Sequence, residues 1–259
     1  MMHDGADRKP SSIVIGRQPV LEALREGRGL ERIYMFRQAE GDVIPEIRKL
    51  ATDLQIPINM VPVEKLNGMS RGNHQGVIAI AAVLKYADLD QTIEKITSSG
   101  KIPLFIMLDG VTDVRNIGAI ARTALCCGAQ AIVIPDKGVG ALNEDAVKAS
   151  AGALQKLAVC RVGSLLKAID SMHLAGFQVY ASEMRVDAKL QDMDFSGPSC
   201  IVLGSEDKGI QSYITKSCDR RFRIPMTGDF DSLNVSVSAG IILFEASKQR
   251  EATGQTPQP

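Results

Sequence analysis

Tryptophan is absent from this 259-residue chain and aromatic residues as a whole make up only 4%; the composition is otherwise that of an ordinary soluble globular protein. Charge of one sign is lacking too. Thirty Lys and Arg balance thirty Asp and Glu, which argues against a polyelectrolyte tail but not against a local basic face for phosphates. The five cysteines include an adjacent pair, Cys126 and Cys127, but no CxxC and no paired spacing. Neither a disulfide framework nor a metal site is expected, and the expected compartment is a reducing cytoplasm. No apolar run reaches membrane-spanning length, and the opening MMHDGADRKPSS has no apolar core, so neither a signal peptide nor a membrane partner is expected. Two nucleotide signatures are missing as well. There is no GxxxxGK[ST], and no GxGxxG with a following ribose-binding acid; Gly138-Val139-Gly140 is too short and misplaced. These absences weigh against ATP-loop chemistry and a nicotinamide-dependent oxidoreductase.

What is present reads as an α/β chain in two parts. Residues 1–12 and 251–259 are polar and are expected to be disordered tails. Between 13 and 84 the pattern predicts helix Pro19 to Glu26, strand Leu30 to Phe36, helix Pro45 to Leu54, strand Ile58 to Val63, a short helix from Val63, and strand Val77 to Leu84. This is a small α/β domain. Ahead of its last strand, Arg71, Asn73, His74 and Gln75 form a Gly-flanked polar loop. Its side chains suit RNA phosphates and base edges, or equally the turn's own backbone groups. Residues 85–101 are charge-mixed, with Leu89, Ile93 and Ile96 on one face, and predict a linker helix at the domain boundary.

The second part, 102–250, alternates strand and helix from the apolar run Ile102 to Leu108 onward. Such repeats predict an open parallel sheet covered on both faces, with ligands at the carboxyl ends of its strands. Three strand-end loops carry polar residues there. In the first, Asn116 is expected to cap a helix whose stripe is Ile117, Ile120, Ala121 and Ala124, with Arg122 projecting away from it. In the second, the strand Cys200 to Leu203 runs into Gly204-Ser-Glu206-Asp-Lys-Gly209, where Gly204 would let a ligand approach the backbone. In the third, Ile224 to Glu245, Ser232, Asn234 and Ser236 are capping types ahead of a helix apolar on nearly every side. Such a helix is expected to be buried on more than one face.

Taken together and in this order, Asn116 with Arg122, Gly-Ser-Glu206-x-x-Gly, and Ile224-Pro-Met with Ser232-Leu233-Asn234-Val-Ser resemble the three motifs of the SpoU/TrmH class of SPOUT RNA methyltransferases. Gly16-Arg-Gln-Pro and His74-Gln-Gly resemble the N-terminal RNA-binding domain of the same class. Within it, the combination is most similar to enzymes acting on a guanosine of large-subunit ribosomal RNA. Asp207 departs from the pattern, since many members carry Gly after the Glu. The resemblance implies methyl transfer from S-adenosylmethionine to a ribose 2′-hydroxyl, a trefoil knot in the C-terminal domain, and a homodimer with active sites at the subunit interface. It implies donor contacts at Gly204, Ile224 and Leu233, and a reactive centre of Asn116, Arg122, Glu206, Ser232 and Asn234. RNA contacts are expected at Arg71, His74 and Gln75. A transfer-RNA ribose methyltransferase and a non-catalytic RNA-binding protein are the rival readings.

The chemistry asks chiefly for positioning, with the 2′-oxygen in line behind the methyl carbon. It also asks for loss of the hydroxyl proton. The class assigns this to the arginine, although a guanidinium is ordinarily always charged. Arg122 would either release a proton transiently or stabilise the developing alkoxide.

Overall fold

In the computed structural model, residues 13–27, 29–140, 142–228 and 232–254 are described, and they fall into two compact units that divide between Val83 and Leu84. The first is built on strands β1 (Ile13–Ile15), β2 (Leu30–Phe36), β3 (Ile58–Val61) and β4 (Val77–Ala81). They form one sheet in the order β1-β4-β2-β3, antiparallel except where β3 joins β2. Period-two alternation sorts its side chains. Ile33, Met35, Val77 and Ala79 pack under helices α1 (Arg17–Arg25) and α2 (Val43–Asp53). Val61 and Ile78 face the other way, against Leu66 of α3 (Val63–Met69).

The second unit starts with α4 (Leu89–Ser98) and β5 (Leu104–Asp109), every residue of which is buried. The chain then runs through α5 (Val114–Cys126), β6 (Ala131–Pro135), α6 (Glu144–Ala149), β7 (Ala158–Val162), α7 (Leu165–Leu174), β8 (Gln178–Ser182), β9 (Ser199–Gly204), α8 (Ser212–Lys216), β10 (Arg220–Phe222) and α9 (Val235–Ala252). The six strands lie in the order β10-β8-β9-β5-β6-β7, all neighbours parallel. Leu104, Ile106 and Leu108 point to a core shared with α5, α6 and α9. Phe105 and Met107 point to the opposite core, shared with α4, α7 and α8. The expected sheet, covered on both faces, is therefore present.

Three expectations are corrected. The 85–101 segment does contain a helix, but it is no free linker: Leu89 and Ile93 of α4 are buried in the second unit's core. Helix α5 is capped by Asp113, not Asn116. The Asp113 side chain accepts from the Arg115 N–H, and its hydrogen bond from the Arg115 side chain holds its carboxyl below the usual carboxylate range. Asn116 consequently lies inside the first turn, with its amide free for other partners. Finally, α9 continues through Ala252, past the start of the expected tail; residues 1–12 and 255–259 lie outside the described residues.

Helix α9 is anchored at its far end by Arg250, only 5% exposed. Its guanidinium donates to the carbonyls of Ile102, Pro103, Phe195 and Gly197, at 2.8 to 2.9 Å. Val235, Ala239, Ile242, Leu243 and Ala246 of the same helix are buried, yet Val237, Ile241 and Phe244 are 50%, 38% and 67% exposed. Only one apolar face of α9 is thus covered within the chain.

Candidate active site

Three elements bring their polar ends together at the carboxyl side of the sheet. Asn116 projects from the first turn of α5, Glu206 from the loop after β9, and Asn234 from the N-cap of α9. The Asn116 Nδ2 donates to Glu206 Oε1 at 3.3 Å, and Asn234 Nδ2 donates to the same oxygen at 2.5 Å and to Asn116 Oδ1 at 3.2 Å. The Val235 N–H adds a fourth bond, to Glu206 Oε1 at 3.3 Å. Asn234 meanwhile caps α9, its Oδ1 accepting from the Ser236 and Val237 N–H groups. One side chain therefore closes the helix and ties it to the other two loops.

Beside this cluster lies a cavity of about 340 Å³. Leu203, Ile224, Leu233 and Val235 give it apolar walls, and Ser182, Glu183, Glu206 and Ser232 line it with polar groups. Gly204, Ile224 and Leu233 are thus brought to one cavity, along with Glu206 and Ser232. Gly204 has a structural reason of its own to be glycine. A Cβ there would lie 2.1 to 2.4 Å from the backbone of Gly209 and Ile210, so glycine admits the loop's own return while its backbone lines the cavity. That loop is closed by the Gly209 N–H donating to the Ser205 carbonyl at 2.8 Å. Asp207 fits it without a positive φ, so the departure from Gly leaves the turn intact.

Arg122 is not part of the cluster. It is exposed and six residues beyond Asn116, which sets the two about 120° apart round the helix axis, and its side chain makes no hydrogen bond or salt bridge among the described residues. In the first unit, Arg71 is exposed, whereas His74 and Gln75 serve the turn. His74 Nδ1 accepts from the Gly76 N–H at 3.0 Å, which leaves Nε2 as the donor to Asn67 Oδ1 at 2.9 Å. Gln75 sits at φ +49° and its carbonyl accepts from Arg17 Nε at 2.8 Å.

Two features were missed in the sequence. Ser182, the last residue of β8, and Glu183 to Arg185 after it line the cavity; their position at the carboxyl end of a parallel strand was the available signal. The buried Asp109, at the end of β5, accepts from both the backbone and the side-chain N–H of Gln211 at 2.7 Å and so fixes the start of α8. Among the described residues no group of three His, Cys, Asp or Glu side chains is placed to hold a metal.

Comparison with known proteins assigns this arrangement. The SpoU rRNA Methylase family matches residues 103–244, and the RNA 2′-O ribose methyltransferase substrate-binding family matches residues 13–87. A Bacillus subtilis protein whose name places it in the TrmH family of tRNA/rRNA methyltransferases is 34% identical over 93% of this chain and 97% of its own length. A Staphylococcus aureus protein named in the same way is 33% identical over 94% and 98%. Among solved structures, an RNA 2′-O ribose methyltransferase aligns with a TM-score of 0.55 at 25% identity, covering 92% of this chain and 88% of that one. The fold is also that of the SpoU methyltransferase AviRb from Streptomyces viridochromogenes in complex with AdoMet, with a TM-score of 0.59 at 24% identity over 93% and 90% of the two chains. The chain belongs to the SpoU/TrmH family of RNA 2′-O-ribose methyltransferases, which take their methyl group from S-adenosylmethionine.

Proposed function

We propose that this chain methylates the ribose 2′-hydroxyl of a guanosine in large-subunit ribosomal RNA, with the donor in the 340 Å³ cavity and the reacting ribose at the Asn116–Glu206–Asn234 cluster. The observation that carries this reading is that one carboxylate oxygen, on the loop after β9, gathers donors from the other two motif segments beside that cavity. The wall composition fits the donor: apolar surface for a purine, and hydroxyl and carboxylate groups for ribose and amino-acid tail. Gly204, Ile224 and Leu233 contact it through backbone and apolar surface. S-adenosylmethionine supplies an electrophilic methyl group, and the chain supplies placement and electrostatics. Glu206 locks Asn116 and Asn234, whose amides, with Ser232, orient the ribose. Arg122 stabilises the developing 2′-oxyanion as a charged guanidinium.

Arg122 reaches a site in a homodimer, as a residue supplied to the partner subunit's cluster. The exposed Val237, Ile241 and Phe244 on α9 support an apolar interface there. The C-terminal segment is threaded as a trefoil knot, a reading supported by the insertion of β9 between β5 and β8 and by the Arg250 anchor to the start of β5. Residues 13–84 bind the RNA through the exposed Arg71, with His74 and Gln75 presenting the loop. The preference for ribosomal over transfer RNA is supported by the matched substrate-binding module ahead of a domain of the rRNA methylase family. Among the described residues no helix is long and apolar enough to cross a membrane. The five free cysteines support action in a reducing cytoplasm.

Mapping 2′-O-methyl positions in ribosomal and transfer RNA from cells with and without the gene tests the substrate. One large-subunit guanosine should lose its mark; a lost transfer-RNA mark would overturn the ribosomal assignment. Gly204→Ala tests the cavity. The added methyl must displace the Gly209–Ile210 backbone, an overpacking effect of about 1–3 kcal/mol, and calorimetry should show S-adenosylmethionine binding at least about tenfold more weakly.

A further inference from the structure

The loop after β8 belongs to none of the family motifs, yet it places a second carboxylate, Glu183, in the cavity wall. The two carboxylates there differ in how they are satisfied. Glu206 accepts from Asn116, Asn234 and Val235 of its own chain. Glu183 is half-buried, its backbone N–H is fixed on the Phe222 carbonyl at 2.8 Å, and its Oε1 accepts from the Thr215 hydroxyl at 3.0 Å. Its other oxygen has no partner, and its carboxylate no ion pair, among the described residues. It is a held, charged acceptor with room for donors from a ligand.

The sheet order says which part of a ligand meets it. Strand β8 lies beyond β9 from β5, whereas Asn116 sits on α5, the helix that follows β5. Glu183 is thus at the cavity end remote from the reactive cluster. Chemistry agrees with that placement. A carboxylate facing the sulfonium would stabilise the ground state more than the transition state, in which that charge is dispersing, and would slow transfer. A vicinal diol, by contrast, offers two neutral O–H donors to one carboxylate. We propose that Glu183 binds the ribose 2′,3′-diol of the methyl donor and so selects for a ligand with an intact ribose. This rests on the cavity being the donor site.

Calorimetry on the full chain with S-adenosylmethionine, S-adenosylhomocysteine and 5′-methylthioadenosine tests it. All three carry the ribose; the second lacks the charged sulfur and the third also lacks the amino-acid tail. Glu183→Gln keeps an oxygen for Thr215 and is expected to weaken all three by about 10- to 100-fold. A loss confined to S-adenosylmethionine, a loss that spares methylthioadenosine, or no loss at all would each overturn the proposal while leaving the cavity assignment standing. The ligand can be altered instead of the protein. The 3′-deoxy form of methylthioadenosine should bind the wild-type chain with a comparable deficit, and Glu183→Gln should add little to it; fully additive losses would overturn the proposal. A wild-type chain that binds none of the three would remove the cavity assignment itself.

Discussion

Arg122→Ala is expected to lower methyl transfer by about 10²- to 10³-fold and to leave calorimetric binding of S-adenosylmethionine unchanged. The side chain is exposed and lines no part of the cavity, so its loss removes neither packing nor a donor contact. On the role proposed for it, what it removes is a positive charge at the oxygen that becomes an alkoxide. Because Arg122 lies outside the Asn116–Glu206–Asn234 cluster of its own chain, the dimer reading makes a sharper prediction. Mixing Arg122→Ala chains with Asn234→Ala chains, each nearly inactive alone, should restore about a quarter of the wild-type rate. Half the dimers are then mixed, and each has one site holding an intact cluster and the partner's arginine. If Arg122 served its own chain's cluster, every site in the mixture would be defective and no activity would return.

Arg250→Ala is expected to destabilise the second unit by about 3–5 kcal/mol, the cost of leaving two buried carbonyls unpaired and losing two further charge-assisted hydrogen bonds, and to lower Tm by roughly 10 °C. The four carbonyls it serves belong to Ile102, Pro103, Phe195 and Gly197, from segments leading into β5 and β9. Alanine would leave the Ile102 and Phe195 carbonyls without a donor, while those of Pro103 and Gly197 keep the Ser199 N–H and hydroxyl, respectively. Arg250→Lys should recover only part of the loss, because an ammonium has three donors and no planar fork. Burial pushes the guanidinium well below the usual arginine range, down to about 10. The folded and unfolded states therefore carry the same proton near neutrality, and the gap between wild type and variant should stay flat from about pH 6 to 9. Only above about pH 10, where the unfolded chain binds more protons than the folded one, should the burial penalty begin to lift. Thermal melts across pH check both the size and the flatness.

The order of elements was legible because each strand and helix carries its own period: β2, β3 and β4 begin where the pattern places them. Their arrangement was not. No local signal says that β9 enters between β5 and β8, since strand order depends on long-range pairing. The three motif loops could be named from residue types, but not the shared Glu206 oxygen that joins them. The Asn116 cap failed because Asp113, three residues earlier, is an equally good capping type and extends the helix by a turn. Arg250 was hidden for a related reason. In the sequence it stands among Lys248, Gln249 and Glu251 and resembles any solvated helix end; only the packing of α9 turns it inward.

The hitch between Asp109 and Gln211 extends further than the start of one short helix. Gln211 accepts, through its carbonyl, the Thr215 N–H one turn later at 3.0 Å, and Thr215 in turn steadies the Glu183 carboxylate. A chain of bonds thus runs from the tip of the central strand to the Glu183 side of the cavity. Moving that wall by way of α8 means breaking two bonds to an enclosed aspartate, so this side of the cavity is braced from behind as well as by the side chains that face it.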